Sequence, residues 1–145
     1  MPGRHGPPVV SLALPEVMGS MLEFQSGASD HGFRMYITGD TLVIDALQEI
    51  PRRYPEIDLA LLHLGGTRIL GILLTMDAEQ GVEVLQVVKP KRAIPIHYND
   101  YDVFKSPLSD FQWAVEAAGL AHQVHYLNAW CELTTTGRTE GASGL

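Results

Sequence analysis

Only one cysteine, Cys131, occurs in the 145 residues. No disulfide can therefore form within the chain, and no cysteine-based zinc site can be built. Positive charge is also scarce: 10 Lys and Arg stand against 17 Asp and Glu, a net charge of −7. Surfaces that track a phosphate backbone are basic, so nucleic acid is not expected as a partner. No apolar run approaches the roughly 18 residues of a membrane-spanning helix. The opening Met-Pro-Gly-Arg-His-Gly-Pro-Pro lacks the apolar core of a signal peptide. Together with the scarcity of cysteine, these absences describe a soluble, cytoplasmic protein. Internal repeats are missing, and so are P-loop and dinucleotide-binding glycine patterns. Gly65-Gly66 followed by Thr-Arg is too little for a flavodoxin-like or Rossmann-like module.

What is present is a globular composition, 46% hydrophobic and 19% charged. Residues 1–8 read as loop. Val17–Gln25 and Phe33–Thr38 read as two strands around the turn cluster 26–32, and so as a hairpin. The pattern then changes to strand–helix alternation. Val43, Leu47 and Ile50 mark a helix within 42–53. Ile57–Leu64 is an almost continuous apolar run, expected to be a strand buried on both faces. Asp77 caps a helix to about Val88, with Gln80 three residues on as in a capping box. Ala93–Ile96 is a short strand that Pro95 assigns to a sheet edge or a bulge. Ser106-Pro107 opens a helix running to Gly119, and His122–Trp130 is expected to be the last strand. The order ββ then αβαβαβ indicates an α/β fold, in which ligand chemistry gathers at the C-terminal ends of strands. Residues 134–145, rich in Gly, Thr and Ser, are expected to be a disordered tail.

Two metal-capable side chains follow a strand directly: Asp40 in Ile-Thr-Gly-Asp-Thr and His97 in Ile-Pro-Ile-His-Tyr. His5 lies in an N-terminal loop with no strand in front of it. Imidazole and carboxylate donors suit Zn²⁺, Mn²⁺ or Fe. Each residue has a plainer reading: Asp40 as a helix N-cap, His97 as a bonded core histidine, His5 as a solvated terminal histidine. Of the other histidines, His63 ends its strand before Gly65-Gly66, where it lines a pocket or bonds to backbone. His122 and His125 fall on opposite faces of a strand and form no joint site. His31 belongs to a turn. Cys131 reads as a small packed hydrophobe.

The succession is Pro-x-x-His-Gly, Gly-Asp-Thr, Asp-Leu-Ala-Leu-Leu-His-Leu-Gly-Gly, Thr-Met-Asp and Pro-Ile-His-Tyr. Over residues 1–133 it resembles the metallo-β-lactamase superfamily. The branch it looks most like holds the ascorbate-6-phosphate lactonases and N-acylphosphatidylethanolamine phospholipase D. The resemblance implies the C-terminal half of a four-layer αββα sandwich. It also implies a metal-dependent hydrolase of esters, lactones or phosphodiesters, acting on a small molecule with two divalent ions, zinc or Mn/Fe. By the same resemblance His5, Asp40 and His97 are metal ligands, Asp40 the one bridging both ions. His63, Tyr98 and Asp77 are candidates to border the pocket or support the ligands, packing beside His97 being the plainer role for Tyr98 and helix capping for Asp77.

The family's first motif, His-x-His-x-Asp-His, is absent, and with it the aspartate that orients the attacking water. The chain is accordingly expected to be a fragment with weak metal binding and negligible activity. The reading frame is expected to continue upstream of Met1, and the exposed sheet face to be covered by a second copy or by the missing half. The alternative is a non-catalytic remnant or partner-dependent half-domain.

Overall fold

The computed structural model describes residues 1–25 and 32–127, with the backbone of Cys131–Leu133 and Thr139–Gly141. His31 and most of the expected turn cluster lie outside these residues, as does the side chain of Cys131. Strands β1 (Ser20–Phe24) and β2 (Phe33–Ile37) pair antiparallel, Leu22 opposite Met35 and Phe24 opposite Phe33, so the expected hairpin forms. Strand β3 (Leu59–His63) joins β2 in parallel, and a later strand, Arg92–Ile96, joins β3 in parallel, giving one four-stranded sheet.

Helix α1 (Pro8–Ser11) is a single turn. The helix expected over 42–53 is broken. Asp45–Glu49 is a 3₁₀ turn, followed by one α-helical turn, α2 (Ile50–Arg53). The cause is Pro51, which has no N–H to give the preceding turn. Leu47 and Ile50 still reach the core as their spacing predicts.

A two-stranded ribbon follows, β4 (Arg68–Ile69) with β5 (Ile72–Leu73). It left no signal in the pattern, because its turn sets Leu70 as well as Gly71 at positive φ, 50° and 81°. Leucine rarely occupies that region.

Helix α3 (Ala78–Val88) is capped by Asp77, whose side chain accepts from the Gln80 N–H. The reciprocal half of the capping box is absent: the Gln80 side chain accepts from the Val43 N–H at 3.2 Å and ties α3 to the segment after β2. The strand Arg92–Ile96, β6, is the sheet edge. Ala93 accepts on its outer side from His125 at 2.8 Å, and Val124 makes a single bridge to Ala93. Backbone groups two residues apart face the same way, so the N–H that Pro95 lacks belongs to that outer side. A longer ladder is blocked there.

Helix α4 spans Leu108–Ala117, with Pro107 just outside it. The expected last strand over His122–Trp130 is not formed as such: Ala121–Gln123 is a 3₁₀ turn, and 128–130 lie outside the described residues. Strands β7 (Cys131–Leu133) and β8 (Thr139–Gly141) pair antiparallel, and the rest of the expected tail lies outside the described residues.

The two sheet faces differ sharply. Tyr36, Ala60, Leu62 and Ala93 point to one face, where Val84, Leu85 and Val88 of α3 and Phe111 and Val115 of α4 complete a closed core. The opposite face carries Leu22, Phe24, Phe33, Met35, Ile37 and Leu61, all half-buried or exposed, with Phe24 at 51%. The expectation that β3 is buried on both faces holds for Leu59, which with Ile94 of β6 is buried on this second face, but only in part for Leu61, which is half-buried.

At the end of the sheet remote from the site, Asp58 accepts from the Arg34 N–H at 2.9 Å and from Lys91 Nζ at 2.8 Å. Burial pushes its carboxyl up, but the hydrogen bonds from Lys91 and Arg34 outweigh this and hold it below its ordinary 3.8. A carboxyl lowered on folding adds stability that is full above pH 3.8 and is lost as pH falls through the folded value. Asp58→Ala is expected to lose about 1 kcal/mol at neutral pH, the Lys91 share being screened because that side chain is 57% exposed. Urea melts should show the gap to wild type closing below pH 3.8. A gap independent of pH would refute the assignment.

Candidate metal centre

Three parallel strands end together. After β2 the chain turns through Gly39, at φ 67°, and presents Asp40. Strand β3 ends in His63, and β6 is followed by His97. Asp40 and His97 therefore flank His63 and do not lie on neighbouring strands. The three line one open cleft of about 300 Å³ with Val17, Met18 and Gly39. Asp40 Oδ1 is 3.5 Å from His97 Nε2. The rings of His63 and His97 are 5.5 Å apart.

Thr38, fully buried, holds His63: its Oγ1 accepts from the His63 N–H at 2.9 Å and stands 3.4 Å from Nδ1. Burial pushes His63 below its ordinary 6.5. His97 adds to this, while Asp40 and Asp100 pull the other way and lose. At neutral pH His63 is thus a neutral imidazole, able to accept as well as donate.

His97 Nδ1 pairs with Asp100 Oδ2 at 2.5 Å. Edge-on contacts from Tyr101 and Phe104, at 5.9 and 5.0 Å, complete its surroundings. The sequence reading missed Thr38, Asp100, Tyr101 and Phe104. For Asp100 a signal existed, since a carboxylate three residues beyond a ligand-type histidine can reach its second nitrogen.

His5 is not unanchored. Pro2 bridges Met18, and the Arg4 N–H donates to Thr41 Oγ1 at 2.8 Å. The Leu42 N–H donates to Arg4 O, and the Gly6 N–H to Leu74 O. These backbone bonds do the work that a preceding strand was expected to do. His5 Nδ1 is buried without a partner, as is Asp40 Oδ1.

Asp77 caps α3 and pairs with Arg68 at 2.9 Å, in a different cleft shared with Gly66 and Ser106. Tyr98 packs against the core. His122 and His125 fall on a 3₁₀ turn and the segment after it.

Buried acceptor atoms that lack a donor are costly unless a proton or a cation is supplied. Asp40 Oδ1 and His5 Nδ1 are buried without a partner, and with His97 Nε2 their N/O chemistry fits a divalent ion. Their number does not complete a site. Among the described residues no three His, Cys, Asp or Glu side chains group closely enough to hold a metal.

A family model described as the beta-lactamase superfamily domain matches residues 3–98. The chain belongs to that superfamily. A UPF0173 metal-dependent hydrolase of Archaeoglobus fulgidus is 39% identical over 93 residues, 64% of this chain and 37% of the relative. Two solved structures share the fold. The isothiocyanate hydrolase from Delia radicum gut bacteria has a TM-score of 0.70 at 14% identity, over 95% of this chain and 52% of that one. A metallo hydrolase of Ignicoccus hospitalis has a TM-score of 0.56 at 24% identity, over 84% and 51%. The chain thus spans little more than a third of that curated relative and about half of each of these structures. The superfamily match takes in His5, Asp40, His63 and His97 and ends before Asp100. Among the described residues no helix is long and apolar enough to cross a membrane.

Proposed function

We propose that the protein is a metal-dependent hydrolase of the ester, lactone or phosphodiester class, with Asp40, His97 and His5 as part of its ligand set. The observation that carries this reading is the buried, donor-less Asp40 Oδ1 facing His97 Nε2 at the C-terminal ends of parallel strands. Superfamily membership and the curated relatives' name support it. Bound divalent ions, zinc or Mn/Fe, supply an activated water and polarise the scissile group. Asp40 would hold the metal as a carboxylate able to bridge, His97 through Nε2, and His5 through its unpartnered nitrogen. His63, neutral and lining the cleft, would bond a small-molecule substrate.

Two ligands in contact fall short of the three or four that zinc sites use, so the remaining donors come from elsewhere than the described residues. By itself the chain is expected to lose added zinc on dialysis and to leave a model phosphodiester intact. Metal analysis and a turnover assay read this. Zinc retained at one ion per chain or more, with turnover, would show that the site is complete.

The second reading, a remnant or partner-dependent half-domain, is favoured by the open sheet face. Met18 at 73% exposure, with Leu22 and Phe24, continues that apolar surface, and patches beyond a few hundred Å² mark interfaces. Self-association, or capture of a complementary half, is expected in light scattering. A monodisperse, cooperatively melting monomer would argue against it.

A further inference from the structure

We propose that Asp100 is a positioning residue for His97: it accepts a hydrogen bond from Nδ1–H and thereby keeps the Nε2 lone pair facing Asp40. This deepens the metal-centre reading and rests on it for its purpose, though not for its test.

A neutral imidazole carries one N–H, and the bond made by one nitrogen decides what the other can do. Two carboxylates compete for that proton. Asp100 Oδ2 stands 2.5 Å from Nδ1, whereas Asp40 Oδ1 stands 3.5 Å from Nε2 and makes no hydrogen bond. With the proton on Nε2, the ring would present a donor to Asp40, and nothing could be ligated there. With the proton on Nδ1, the same atom is an acceptor beside a second acceptor. That pairing is unfavourable until a cation arrives.

The surrounding loop is built to hold this arrangement. His97 lies in the left-handed region at φ 56°, which a residue with a side chain keeps only where its surroundings enforce it. The Lys105 and Ser106 N–H groups both donate to Gly65 O, at 2.9 and 3.1 Å, which closes the loop onto the end of β3. Ser106 Oγ accepts from the Ala78 N–H at 3.0 Å and ties the same loop to the start of α3. A Cβ on Gly65 would press on His97 O and the Phe104 ring, both at 3.1 Å. The loop thus seats on a glycine, and Phe104 seats against His97. Asp100 is half exposed, so its removal leaves the core intact.

Two-bond ¹H–¹⁵N correlation on histidine-labelled protein, free of metal at about pH 9, reads the tautomer where an ordinary imidazole is neutral. Wild type is expected to show the Nδ1–H form of His97 in roughly tenfold excess or more, the factor a charge-assisted hydrogen bond provides. Asp100→Ala should revert toward Nε2–H, the form a free imidazole prefers. Asp100→Asn, whose amide oxygen still accepts, should retain Nδ1–H. Unchanged backbone amide spectra in the variants would verify the fold. Wild type with Nε2–H as the major form, or the same ratio in Asp100→Ala, would overturn the proposal. Zinc added afterwards tests the other reading separately: no shift of the His97 Nε2 signal would count against metal binding while leaving the tautomer result standing.

Discussion

Phe111→Ala is expected to lose about 3–5 kcal/mol, a large part of the stability of a domain of this size. Phe111 is 1% exposed and sits where α4 crosses α3. The crossing is close because Gly81 has no side chain. A Cβ there would fall 2.8 Å from both the Phe111 ring and Leu64 Cδ2. The ring therefore fills a notch that no neighbour can close, and the cavity left by alanine would remain. Urea unfolding of the variant and wild type measures the difference. A loss under about 1 kcal/mol would mean that the helices repack, against the close crossing described.

Gly39→Ala is expected to lose about 2–4 kcal/mol and to take the candidate site with it. Two costs add. Gly39 has φ 67°, where a Cβ costs about 1–2 kcal/mol. That Cβ would also lie 2.6 Å from Met18 O, a backbone atom that cannot rotate away. Relief requires the turn after β2 to open, which moves Asp40 away from His97. Gly71→Ala is the control, since its φ is +81° but nothing lies within 4 Å. It should lose only the conformational share. Equal losses in the two variants would remove the steric part of the argument, and an unperturbed His97 spectrum in Gly39→Ala would remove its link to the site.

The approach of Asp40 and His97 in the candidate site was legible because strand ends are local events. The Ile-Thr-Gly-Asp and Ile-Pro-Ile-His segments each announce a strand and the residue just past it, and the fold brings those two residues within 3.5 Å. The Asp77 cap was legible for the same reason, depending on a few bonds within its own segment; the missing N–H of Pro95 pointed to an edge or a bulge, and the sheet order made it the edge. Asp77 also shows the limit. The family resemblance put it near the pocket, whereas it caps α3 and pairs with Arg68 in another cleft.

The amino-acid sequence by itself determined the strand and helix periods, the caps, the superfamily and the side chains offered at the strand ends. Tertiary structure decided the rest, because those features hang on hydrogen bonds between segments far apart in the chain. The sheet order set His63 between Asp40 and His97. The loop bearing His5 is held by Thr41, 37 residues on, where the sequence offered no strand to hold it. Gln80 left its own helix cap for Val43. The left-handed turn at His97 swung Asp100 onto Nδ1. A periodic pattern records which face of a segment is apolar. It does not record which distant carbonyl or carboxylate a donor will meet, and in this protein those meetings set the geometry of the site.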